Sequence, residues 1–323
     1  MTTRDERYDL IRGLAIILIV FIHSMGRLAE ASAGNAFYLR LESASIQSLI
    51  STGVHLFIIL SGALLLGKEE SAGAFYRKRC RRILPPFLLW SLVVFALTCI
   101  VSGPISWKTV VPDFVRQFLT CGVHETYWFV YMIIGLYLVT PLLRIICREE
   151  KNCLLLLGFV ATTYLMNLIW PDFLTTGRWF SRNTSCLMDY VAGFAIVRYW
   201  REKPWLRPTA WAILVTSLAA DVFCRFIIGE VLPFEVTSAL GLFALLITTR
   251  SPLRLSRSFR LMSETSFGIY LSHCIFISAF VSLTAKASLP LWADPFLTAG
   301  VVLAAEFGMM CVLRKLRLDR FLA

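Results

Sequence analysis

Asp9-Leu-Ile-Arg12-Gly-Leu-Ala-Ile-Ile-Leu-Ile-Val-Phe-Ile-His23 is a hydrophobic run with a cation near its start and an imidazole at its end. Read as an α-helix, the eleven steps at about 100° each bring Arg12 and His23 to within roughly 20° of one another, so they share a face. About 16.5 Å of rise separates them, roughly half of a 30 Å hydrocarbon core. Ionisable groups held at such depth are costly and mark functional sites by default. The competing reading has Arg12 snorkelling to headgroups and His23 finishing the outer end of the helix.

The rest of the chain extends this pattern. Hydrophobic residues make up 57% of it and charged residues 16%, with a mean hydropathy of +0.69; soluble domains carry about 25% charged residues. Apolar stretches of spanning length recur from end to end, so residues 1–323 read as a single integral-membrane domain, all-α and polytopic. Ten helices are predicted, at about 10–26, 48–66, 84–102, 126–146, 152–170, 183–198, 209–229, 233–249, 265–284 and 291–312. The first is not expected to be a cleaved signal, because no small-residue site follows it and Arg27-Leu28-Ala29-Glu30 does.

The net charge of +11 invites a nucleic-acid partner, but its distribution argues against one. With the N-terminus inside, 24 Lys or Arg fall on cytoplasmic ends and loops and 7 outside, with Arg225 inside a helix. Such a bias is topological and predicts an even helix number with both termini cytoplasmic. The nine cysteines show no C-x-x-C spacing and mostly lie in apolar helices, where they read as small buried hydrophobes. No metal-ligating cluster and no phosphate-cradling glycine motif is visible. In the outer connection 103–125, Trp107, Val110-Val111, Phe114-Val115 and Phe118-Leu119 form an apolar stripe at helical spacing, predicting an interfacial helix with a packing role. Pro85-Pro86 is expected to start the third helix, since proline suits a first turn and breaks what precedes it.

Four histidines carry most of the candidate chemistry. His23, His55 and His273 are expected at similar depth in the middle-to-outer slab, and His124 at the outer start of a helix. One buried histidine is ordinary; three at one depth point to a polar cavity, where a neutral imidazole can act as a base. At the other end, Arg77, Lys78, Arg79, Arg81 and Arg82 place five cations in six residues. They suit either lipid headgroups or a phosphate-rich ligand, and spacing does not separate the two. Asp221 and Arg225, four apart, are expected to pair; Asp189 and Glu306 are lone acids without an assigned catalytic role.

These residues resemble the acyltransferase 3 family of bacterial integral-membrane acyltransferases, especially its short stand-alone members that O-acetylate surface sugars. The resemblance is carried by Asp9-Leu10 with Arg12-x10-His23, by Gly53-Val-His-Leu-Phe57-Ile-Ile-Leu-Ser61-Gly62, by Arg79-x-x-Arg82-Ile-Leu-Pro85 and by Ser266-Phe-Gly268-Ile-Tyr270-Leu-Ser-His273. Tyr127-Trp128-Phe129, running on through Gly135-Leu-Tyr137 to Thr140-Pro141-Leu-Leu-Arg144, adds a fifth stretch. The resemblance implies transfer of an acyl group from cytoplasmic acyl-CoA, acetyl-CoA foremost, to a hydroxyl of a glycan or lipid-linked sugar outside. No permanently bound cofactor is implied, and acyl-CoA is a co-substrate. By this resemblance His23 is the essential base, Arg12 helps hold the donor, and Arg79 and Arg82, with Arg77 beside them, serve donor binding. His55, His273, Tyr270 and Trp128 are candidates for the acceptor or oxyanion site. Direct transfer and an acyl-histidine intermediate both stay open. The rival class is transport, with the polar slab binding a small polar solute or lipid-linked glycan; dependence on CoA separates the two.

Overall fold

The computed structural model describes residues 5–26, 28, 37–102, 109–169, 177–229, 232–249, 254–284, 290 and 293–318. Among these, 86% is helix and no strand is present, as an all-α membrane protein requires when lipid offers the backbone no hydrogen bonds. The helices are α1 (Glu6–His23), α2 (Phe37–Ile50), α3 (Thr52–Leu65), α4 (Ala72–Ser102), α5 (Val110–Leu119), α6 (Trp128–Ile146), α7 (Glu150–Ile169), α8 (Gly177–Ala195), α9 (Leu206–Phe223), α10 (Phe234–Ile247), α11 (Arg257–Glu264), α12 (Ser266–Thr284) and α13 (Asp294–Lys315). Six stretches among the described residues are long and apolar enough to cross a membrane: Arg40–Leu65, Ala72–Val101, Glu125–Ile146, Leu206–Ile228, Ser266–Thr284 and Asp294–Lys315. The protein is therefore a multi-pass membrane protein.

Helix α1 begins where Asp5 accepts a hydrogen bond from the backbone N–H of Arg7, with Glu6 and Asp9 favourably placed in the first turn. It then runs through the middle of the bundle, touching α3, α10, α11, α12 and α13. Ile11, Ala15, Ile16, Ile19 and Val20 are all fully buried along it. Arg12 and His23 are thus fixed by one rigid, enclosed rod.

Helices α3 and α8 cross with almost no gap. A Cβ added at Gly62 would fall 1.7 Å from the carbonyl oxygen of Tyr190, and one at Gly193 would fall 2.0 Å from that of Ile59. In lipid, where apolar side chains gain little from leaving the solvent, such small-residue contacts are what let helices associate. Both obstacles are backbone, which cannot swing aside. Gly62→Ala should therefore cost at least the about 1–3 kcal/mol typical of overpacking and lower the thermal midpoint in detergent. Gly135 has open space around it, so Gly135→Ala should leave the midpoint near that of the parent. Equal midpoints for the two variants would contradict the close crossing.

Two sequence expectations need correction. Helix α4 starts at Ala72 and runs through Pro85 and Pro86 instead of starting there. Phe75, Ile83, Phe87 and Trp90 form a buried stripe at helical spacing across the prolines, and that packing holds the helix where local propensity would end it. Within the connection expected between the first two membrane helices, Phe37–Ile50 is helical and leads into α3. The short α11 was not expected; Ser256 caps it, accepting from the backbone N–H of Phe259. The expected helix in 103–125 is α5, with Phe114 5.3 Å from Phe95 and Phe118 5.2 Å from Phe87 between ring centres. Trp107, and the cations Arg27, Lys108 and Lys286 counted on the outer side, lie outside the described residues.

Many of the basic segments meet at one end of the bundle. Arg144 donates to the carbonyl of Leu65 from Nε and Nη2 at 3.0 and 2.8 Å, and to Glu70 at 3.1 Å. Its hydrogen bond and charge hold the Glu70 carboxyl below the usual carboxylate range. Arg7 donates to the carbonyls of Ile247 and Thr249, closing the C-terminal end of α10. Arg201 reaches Asp5 at 3.3 Å and Arg314 reaches Glu264 at 2.9 Å. Elsewhere Asp221 and Arg225 pair at 2.9 Å, as their spacing predicts.

Candidate active site

A cavity of about 140 Å³ opens between α1, α3, α4, α6 and α12. Its walls are aromatic and aliphatic, including Phe57, Phe129, Ile133, Tyr137 and Tyr270, and three arginines, Arg12, Arg79 and Arg82, complete it. Helix α1 delivers the first of these and the basic turn of α4 the other two, so the Arg12 face and the cationic cluster converge.

Arg79 is the most constrained of the three. Its side chain is 8% exposed and lies over the rings of Phe75 and Tyr137, at 5.4 and 6.0 Å. Its Nε and Nη2 atoms have no hydrogen-bond partner among the described residues. A buried guanidinium with idle donors beside a cavity is costly unless an acceptor in that space takes them up, and an anion does so most strongly. Arg12 is held by Asp9 at 3.3 Å, and Asp9 also accepts from Ser263 at 3.4 Å. Arg82 is exposed and also lines the cavity, whereas Arg77 is exposed without lining it.

Tyr270 links this cavity to the histidines. Its hydroxyl donates to the carbonyl of Thr126, and that of Tyr127 donates to the carbonyl of Leu271 at 2.8 Å. These two bonds tie α12 to the short turn before α6. The Tyr270 ring lies 5.2 Å from Phe129 and 5.6 Å from His273. His273 lies in turn 5.0 Å from His23. A continuous line of rings therefore joins the cationic cavity to the exposed His23 at the far end of α1.

His55 does not join that pair. Its Nδ1 lies 2.5 Å from Oδ2 of Asp189, a fully buried residue of α8. In the sequence Asp189 reads as a lone acid, because nothing near it names a partner on another helix. Glu306, the other lone acid, accepts from the hydroxyl of Ser272 at 3.0 Å. Trp128 is half-buried and lies edge-on to Phe129 at 6.4 Å, without lining the cavity. His124 caps the turn before α6, accepting from the backbone N–H of Thr126 at 3.3 Å. Among the described residues no three His, Cys, Asp or Glu side chains are grouped to hold a metal ion.

A family model for the acyltransferase domain of the acyltransferase 3 type matches residues 5–311. The chain belongs to that family. No curated protein matches it, and no solved structure does. The matched region includes both ends of the ring line, so this membrane acyltransferase holds its cationic cavity and its histidine pair within the family domain. Chemically, the arginines of the cavity can meet an anionic group, and the pair offers an imidazole base.

Proposed function

We propose that this acyltransferase moves an acyl group, acetyl first among them, from cytoplasmic acyl-CoA to a hydroxyl of a surface-polysaccharide or lipid-linked sugar. The basic end of the bundle then faces the cytoplasm of a bacterial cell, in its inner membrane. The observation that carries the reading is the buried Arg79 guanidinium with idle donors beside a cavity that Arg12 and Arg82 also line.

In this reading the donor's phosphates lie against Arg79 and Arg82, and its pantetheine arm follows the Arg12–His23 face. That arm, about 15 Å long, matches half the hydrocarbon core. The sugar hydroxyl attacks the thioester carbonyl while His23 takes its proton. A C–O bond forms, the C–S bond breaks, and the proton passes to the departing CoA sulfur. Tyr270, whose ring lies 5.6 Å from His273, is the candidate to stabilise the oxyanion, though its hydroxyl must first leave the carbonyl of Thr126.

Arg79→Gln should weaken acetyl-CoA binding by about 10–100-fold, since a hydrogen bond to a charged group contributes about 1.5–3 kcal/mol. Titration calorimetry in detergent, with the thermal midpoint as a check on folding, measures it. A folded variant with parental affinity would return the cluster to a headgroup anchor.

A further inference from the structure

His273 is fully buried, and only one of its ring nitrogens is used. Nδ1 lies 2.6 Å from the carbonyl oxygen of Tyr270, and Nε2 has no partner among the described residues. A carbonyl can only accept, so Nδ1 carries the hydrogen; in the neutral ring Nε2 is then a bare lone pair. That arrangement is the wrong one for an oxyanion donor and the right one for an acceptor. A second imidazole, that of His23, lies 5.0 Å away between ring centres with the planes tilted by 39°. At that separation facing nitrogens can come within hydrogen-bond range, and such contacts tighten when substrate is bound.

From this geometry we infer that His273 is the positioning residue for His23. Its Nε2 accepts a hydrogen bond from one ring nitrogen of His23 and so leaves the other nitrogen as the lone pair that faces the acceptor hydroxyl. The hydroxyl proton goes to that second nitrogen, the resulting imidazolium keeps its N–H on His273, and the proton leaves to the CoA sulfur. A third group that fixes the tautomer of a catalytic imidazole is a recurrent device in acyl transfer and in metal sites. Here the backbone supplies what fixes it, because the Tyr270 carbonyl sets the tautomer of His273 and His273 sets that of His23. The inference rests on His23 being the base.

Two substitutions separate its parts. His273→Asn keeps a donor for the Tyr270 carbonyl but does not reach the Nε2 position. His273→Gln places an amide oxygen near that position and can still accept. With labelled acetyl-CoA as donor and a lipid-linked N-acetylglucosamine as acceptor probe, His273→Asn should lower kcat about 10–100-fold, the range for removing such a supporting group. KM for acetyl-CoA should stay within about twofold and His273→Gln should recover most of kcat, as expected for an effect on base orientation and not on donor binding. Combining His273→Asn with His23→Gln should be no slower than His23→Gln alone, since both act on one proton transfer. Parental kcat in His273→Asn, equal loss in the Asn and Gln variants, or additive losses in the double variant would each overturn the inference. Near-parental turnover in His23→Gln would instead remove the base assignment itself, and this inference with it.

Discussion

His23→Gln is expected to lower turnover about 10²–10⁴-fold, the usual contribution of general-base catalysis, while leaving acyl-CoA binding nearly intact. Glutamine keeps much of the volume and the hydrogen-bonding capacity of the side chain, but it cannot take a proton at neutral pH. His23 stands at the far end of α1 from the cationic cavity and does not line it, so the loss should fall on kcat. Arg12 does line the cavity, so Arg12→Ala should weaken the donor complex as well. Steady-state kinetics beside direct binding measurements separate the two effects. A folded His23→Gln protein that acylates at near-parental rates would remove His23 from the chemistry and leave it as the end of a helix.

The second large effect concerns stability. His55→Leu should cost about 3–5 kcal/mol, because it strands the Asp189 carboxylate in the packed core between α3 and α8. Asp189 is fully buried, and its Oδ1 already lacks a partner among the described residues, so His55 is the polar contact it has most to lose. Replacing both residues with leucine should recover most of the loss, since a buried pair exchanged for apolar side chains is often neutral or better. Thermal midpoints of the singles and the double, compared as a cycle, measure this. A His55→Leu midpoint equal to that of the parent would show that the 2.5 Å pair contributes nothing to folding. Activity in a folded double variant would place His55 outside the acceptor site.

How much of this was legible in the sequence depended on whether the signal lay within one element. The common face of Arg12 and His23 follows from one helix, and the Asp221–Arg225 pair from a spacing of four. Helix α5 showed in the periodicity of Phe114 and Phe118. Local rules misled at Pro85-Pro86, where the stripe from Phe75 to Trp90 packs strongly enough to carry the helix through. What was hidden depends on two helices meeting. His55 and Asp189 lie 134 residues apart, and neither sequence neighbourhood predicts the other. The three histidines expected at one depth divide into a His23–His273 pair and a His55–Asp189 pair because depth along a helix says nothing about which way a side chain turns. The idle donors of Arg79 were equally invisible, since its five-cation neighbourhood reads the same whether a guanidinium faces lipid headgroups or a cavity.

The most direct measurement follows the acyl group itself. The purified protein, in lipid nanodiscs, is incubated with acetyl-CoA labelled in the acetyl group, with and without a lipid-linked sugar. Label should move from CoA into an ester on the sugar, one free CoA thiol should appear per ester, and His23→Gln should slow both about 10²–10⁴-fold. Label that stays on acetyl-CoA, while the same protein in sealed vesicles carries the unmodified sugar across the bilayer, would contradict acyl transfer and identify a carrier.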